Sequence, residues 1–192
     1  MFNEIKYWKN GQVPGTVEPI FTFSSLFNPN SSYDQLKQEI SALAGSFRGS
    51  SLSESEVYLI LGNFFWSVGA GRCAVSAYKL AESISPLPDE SAARLKAIQK
   101  TPFCNEMFVI TGELSRMERA EALFEIRKRG GLTSDNPVNT MDFLVLGSQE
   151  WSALNGGVAS RKVQKAVELQ KKGRNIQIIS EGDFYTMLSS CE

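Results

Sequence analysis

Histidine is absent from all 192 residues. That one absence removes Ser-His-Asp and Cys-His catalysis, His-ligated zinc, and the side chain that most often serves as a general base near neutral pH. Cysteine is nearly as scarce. Cys73, Cys104 and Cys191 are far apart and form no C-x-x-C pair, which excludes a thiolate zinc cluster and fits a reducing compartment. No window approaches the ~18 consecutive apolar residues of a membrane-spanning helix. Neither sign of charge dominates: 20 Lys and Arg stand against 21 Asp and Glu, for a net −1. A tail-driven, strongly basic nucleic-acid binder is thereby excluded, whereas a local basic patch is not.

Hydrophobic residues make up 42% and charged residues 21%, values at which a packed soluble core is expected. Residues 1–10 lack an apolar core behind a basic start and are not read as a signal peptide. The expected location is cytoplasmic, at the nucleoid in a bacterium, or nuclear in a eukaryote. No metal and no cofactor are expected.

Residues 1–103 read as a mainly helical domain. It begins with a short β-hairpin, Ile5-Lys6-Tyr7-Trp8-Lys9 before the turn Asn10-Gly11. Phe21, Phe23, Leu26 and Phe27 supply aromatic bulk for the helices that follow. Asn30-Ser31-Ser32 can cap a helix over 33–47, apolar at Leu36, Ile40, Leu43 and Phe47. Ser53, with Glu56 three residues on, has the form of a capping box opening a strongly apolar helix over 57–68. Gly69-Ala70-Gly71 could cradle a phosphate, but no Gly-Lys-Ser/Thr follows, and a helix–helix turn is the preferred reading. A helix over 74–84, a stop at Ser85-Pro86-Leu87-Pro88, and a short helix through Leu95 and Ile98 complete this half.

Residues 104–192 change character. Met107-Phe108-Val109-Ile110 is a short apolar run that ends at Thr111-Gly112. A run of this kind bounded by turn residues reads as a strand buried on both faces. A helical pattern covers 115–131, with Ser115 as cap, Met117, Ala120, Leu123, Phe124 and Ile126 as its inner face, and Gly130-Gly131 as its end. Strand, Thr-Gly, helix is a geometry that offers a hydroxyl and backbone N–H groups to an anion. Further strands are expected at Leu132-Thr133, at 141–147 and at 176–179. A loop should run over 148–160, a helix over 160–172, and a last helix, capped by Ser180, over 181–188. The order β-α-β-β-α-β-α predicts an α/β domain with a four-stranded, mostly parallel sheet flanked by helices.

Taken together and in order, several motifs carry a family resemblance. They are Phe108-Val109-Ile110-Thr111-Gly112-Glu113-Leu114, Arg119-Ala120-Glu121-Ala122, Gly130-Gly131, Met141-Asp142-Phe143-Leu144-Val145-Leu146-Gly147, Lys162-Val163-Gln164-Lys165-Ala166 and Ile176-Gln177-Ile178-Ile179-Ser180. Over 105–189 the chain resembles a BRCT domain, closest in pattern to those of NAD-dependent DNA ligases and of the large subunit of replication factor C. That resemblance implies a phosphate pocket built from the Thr111 hydroxyl, the Gly112 backbone, Arg119 and Lys162, with Arg161 and Lys165 nearby. A guanidinium, an ammonium, a hydroxyl and a free N–H suit the acceptor oxygens of a phosphate monoester. Phe184 stands where many members carry a Trp.

The implied function is non-enzymatic: capture of DNA at a 5′-phosphorylated end or nick, in replication or repair. The alternative is an adaptor that uses the same domain to bind a protein partner or a second copy of itself. Thr111 could equally be an ordinary strand residue, and Arg119 could pair with a surface carboxylate. Arg127-Lys128-Arg129 and Lys171-Lys172-Arg174 read first as solvated helix ends and second as contacts along a DNA backbone. Trp151 could stack on a base or fill a hydrophobic seat.

Overall fold

The computed structural model describes residues 30–47, 49, 51–154 and 159–190. The expected hairpin and the aromatics at 21–27 lie outside them. The chain divides into two compact units, Met1–Gln99 and Lys100–Glu192.

Four helices make up the described part of the first unit: α1 (Tyr33–Gly45), α2 (Glu54–Ser67), α3 (Gly71–Glu82) and α4 (Asp89–Lys100), whose last residue crosses the boundary. Ser32 with Gln35 and Ser53 with Glu56 form reciprocal capping boxes at the starts of α1 and α2, satisfying N–H groups that have no partner inside the helix. Gly69 ends α2 at φ +71°. Its N–H donates to the Trp66 carbonyl at 3.1 Å and that of Ala70 to Phe65 at 2.8 Å. This left-handed cap joins two helices and leaves the glycines with a structural task. A Cβ on Gly62 would lie 2.5 Å from the Tyr78 ring, so glycine there lets α2 and α3 pack closely. The Asn63 side-chain oxygen accepts from the Tyr78 hydroxyl at 2.9 Å and from Arg94 at 3.0 Å, tying α4 to that pair.

In the second unit the described elements are β1 (Met107–Thr111), α5 (Arg119–Lys128), β2 (Leu132–Ser134), β3 (Phe143–Leu146), α6 (Ser148–Leu154), α7 (Arg161–Lys171), β4 (Gln177–Ser180) and α8 (Glu181–Ser189). The sheet order is β2-β1-β3-β4 and every pairing is parallel. Eight helices among the described residues and one four-stranded parallel sheet give the α/β architecture, consistent with a BRCT-like fold. β1 is central, buried at all five positions as its apolar run requires.

Strand alternation divides the core. Phe108, Ile110, Phe143 and Val145 face Ala122 and Ile126 of α5 and Phe184 and Leu188 of α8. Met107, Val109, Leu144 and Leu146 face Val163, Ala166 and Leu169 of α7. On the first face the Phe108 and Phe143 rings stack with centroids 4.7 Å apart, and Phe184 meets Phe103 edge-on at 6.1 Å.

Three local expectations are corrected. Residues 148–154, expected in a loop, form α6, because the Gly147 carbonyl accepts from the Trp151 N–H at 3.0 Å and starts a helical turn. The helix expected from Ser115 starts at Arg119, with Glu118 at the N-cap and no side-chain cap. Ser115 is drawn away because its N–H donates to Glu181 Oε2 at 2.7 Å, and that of Arg116 to the Tyr185 hydroxyl at 3.0 Å. The inner face of α5 also differs from the one expected, because its packing on the sheet decides which side is covered. Ala122 and Ile126 are its buried residues, Met117 and Leu123 are partly covered, Ala120 is exposed, and Phe124 is 44% exposed.

Candidate functional site

Four parallel strands place all their carboxyl ends on one edge of the sheet. Between β1 and β3 the chain's winding reverses, since β2 lies on one side of β1 and β4 beyond β3. In open α/β sheets ligands bind outside the strand ends at such a reversal. Thr111 and Gly112 end β1 there, and Gly147 follows β3.

The two loops at this point touch backbone to backbone. The Gly147 N–H donates to the Thr111 carbonyl at 3.0 Å. A Cβ at Gly147 would lie 2.0 Å from the Glu113 carbonyl oxygen, so only glycine fits. Gly112 sits at φ +76°, a left-handed conformation costly for any residue with a Cβ. The Glu150 side chain lies directly over it, with Cγ 2.8 Å from where a Cβ would be.

Alternation sends Thr111 to the same face as Met107 and Val109, the face covered by α7. Thr111 is 5% exposed. Arg119 approaches from the first turn of α5, on the opposite face. Its Nη1 donates to the Ile110 carbonyl at 2.7 Å and its Nη2 to the Gly112 carbonyl at 3.0 Å. The guanidinium therefore straddles the Thr111-Gly112 turn. Arginine has five donors, and these bonds use two of them.

Lys162, in the first turn of α7, donates from Nζ to the Asp135 carbonyl at 2.5 Å. Asp135 follows Ser134, which is in register with Val109. The ammonium is thus held at the carboxyl end of β2, the neighbour of β1, and two of its three protons face other directions. Thr111, Gly112, Arg119 and Lys162 all lie along one edge of the sheet, with the cations anchored on backbone carbonyls. Arg161 is exposed beside Lys162, and α7 has no acidic residue in its first turn. Two cations at the positive end of a helix dipole are unfavourable unless an anion is near.

Lys165 takes a different course. It pairs with Glu168 at 3.0 Å, further down α7, and Lys172 meets the same carboxylate at 2.5 Å. Those two hydrogen bonds, from Lys172 and then Lys165, hold Glu168 ionised down to about 2. Trp151 lies half-buried against the α7-side core.

Sequence reasoning passed over Arg116 and Glu150. Arg116 lies 5.1 Å over the Tyr185 ring, a cation–π contact on the loop that leaves the site. Nothing local in the sequence pairs residues 69 apart. Glu150 had a readable signal: an acid in the first turn after Gly147, where a helix dipole favours one.

No protein-family model matches the chain. Over 105 residues, 52% of its length, it is 31% identical to the protein named DNA ligase from Dehalococcoides mccartyi strain BAV1, and equally to that from strain CBDB1. It is 34% identical over 101 residues, 53% of its length, to the DNA ligase of Desulforudis audaxviator. The chain spans 13% of the length of each of these relatives. About half of it is therefore similar to a short segment of proteins that act on DNA.

Proposed function

We propose that this chain is a non-enzymatic DNA-binding protein in replication or repair, and that its second unit is a BRCT domain engaging a 5′-phosphorylated end or nick. The observation that carries this is the double anchoring of the cations. Arg119 is tied across the Thr111-Gly112 turn, and Lys162 is tied to the end of the adjacent strand. Both are positioned in advance and both keep spare donors. A terminal phosphate monoester carries about −1.5 to −2 charge, more than an internal diester, so paired cations discriminate in its favour. The similarity to a segment of DNA ligases supports DNA as the ligand class.

Fluorescence anisotropy with 5′-phosphate and 5′-hydroxyl duplexes, at two salt concentrations, tests the reading. The wild type should prefer the phosphorylated end, affinity should fall with salt, and Lys162→Glu should erase the preference. Equal wild-type affinity for both ends overturns the phosphate assignment.

A second reading, the protein-interaction adaptor, is favoured by Phe124, a large apolar side chain left exposed on α5, and by the Glu150 side chain over Gly112. A pull-down that survives high salt and yields protein without DNA supports it.

A further inference from the structure

Residues 161–174 hold six cations and one carboxylate, a net +5 in a chain whose total is −1, so the remaining 178 residues sum to −6. The concentration of charge has a direction. Val163, Ala166 and Leu169 are buried against the sheet. At 3.6 residues per turn Arg161, Lys165, Glu168 and Lys172 fall within about 60° of one another on the opposite side. All four are exposed, as are Lys171 and Arg174. The side chains of Lys165 and Lys172 are 46% and 63% exposed. Lys162 lies off this stripe, toward the buried face, which is why it reaches Asp135 instead of solvent.

α7 crosses from β3 to β4, two parallel strands, and so runs from the carboxyl edge of the sheet back toward the amino edge. The stripe begins at the turn that carries Lys162 and leads away from it. Its eleven helical residues extend about 16 Å.

We propose that the outer face of α7, from Arg161 through Lys165 and Lys172 to Lys171 and Arg174, is a track for the sugar-phosphate backbone of a DNA duplex, running back from its end. This extends the DNA-binding reading proposed above, but the surface is separate from the Lys162 site and indifferent to the chemistry of the end. Glu168 divides the track. It pairs with Lys165 and Lys172 in the free protein, and on binding both ammoniums exchange its carboxylate for phosphate oxygens. Arg161, Lys165 and Lys172 stand in line along α7, with Lys171 and Arg174 flanking its end, and such a row fits an evenly charged polyanion better than the scattered carboxylates of a protein surface.

The test uses the full chain and a 20-base-pair duplex, phosphorylated or not at the 5′ end, titrated by anisotropy between 50 and 200 mM salt. The triple variant K171A/K172A/R174A should bind both duplexes about tenfold or more weakly, with the slope of log K against log salt shallower by about 2 to 3, and with the phosphate-to-hydroxyl ratio unchanged. Glu168→Gln should bind both duplexes more tightly, the reverse of a role confined to folding. An unchanged affinity and slope in the triple variant overturn the track even where the wild type keeps its phosphate preference. Loss of binding in the triple variant, with no phosphate preference in the wild type, upholds the track and overturns the end-recognition reading. Should the wild type bind neither duplex, both fail. A matched thermal melt of the triple variant confirms that it folds.

Discussion

α5 and α7 flank the same sheet on opposite faces, and both are rich in cations, yet they use them in opposite ways. Arg119 of α5 is spent on two strand-end carbonyls, Arg127 donates to the Thr133 hydroxyl at 2.9 Å, and Arg129, just past its end, pairs with Glu125. Burial pushes the Arg127 guanidinium down from its ordinary range. α7 buries no cation. Apart from Lys162, its charges stand in solvent, paired with Glu168 or with nothing among the described residues. The difference separates cations tied to the protein's own carbonyls and side chains from cations that face solvent.

The comparison breaks most visibly from the inside. α5 buries one large side chain, Ile126, where α7 buries Val163 and Leu169. Ile126→Ala should cost about 2–5 kcal/mol in urea unfolding. Next, Arg119→Ala should cost about 1–3 kcal/mol through two lost carbonyl bonds, whereas Lys171→Ala should stay within about 0.5 kcal/mol. Equal costs would erase the distinction between the helices.

Electrostatics sharpens it further. At the amino edge of the sheet, Glu106 is desolvated and lies beside Asp142, whose Oδ2 accepts from the Met107 N–H at 2.8 Å. Burial first, then the Asp142 charge, raise the Glu106 pKa. A raised carboxyl favours folding while protonated and opposes it once ionised. Glu106→Gln should therefore stabilise the protein at pH 7, and the gain should vanish below about pH 4.5, where both states are protonated.

Glu168 behaves in the opposite sense. Its pKa is depressed to about 2, so its contribution is present above pH 4.5 and fades as pH falls toward 2. Denaturation midpoints of Glu168→Gln and wild type should converge over that window. The smallest effect belongs to Phe124→Ser, expected within about 0.5 kcal/mol, since nearly half of that ring is already in water.

Much of this was legible in the residues. Ser32, Ser53 and Ser180 announce their helices through caps, and each caps where expected. The strands are legible because doubly buried strands need uninterrupted apolar runs. Less legible was whatever depends on distant partners. The start of α5 is displaced by Glu181 and Tyr185, some 66 to 69 residues away. Phe124 stands outside because Ala122 and Ile126 form the side of α5 that meets the sheet, although spacing alone put it inside. At the site, strand alternation could have told that Thr111 faces α7. The backbone anchoring of Arg119 and Lys162 could not be read, since a carbonyl leaves no mark in a sequence.

The position of β1 has a consequence for how the chain is made. As the central strand it pairs first with Leu132-Thr133-Ser134, and its opposite side then waits for Phe143, 35 residues after Phe108. At translation rates of about 5–20 residues per second that wait lasts roughly two to seven seconds. Throughout it an apolar strand leaves the ribosome with an open flank, a natural client for chaperones and the point at which a stalled nascent chain should aggregate.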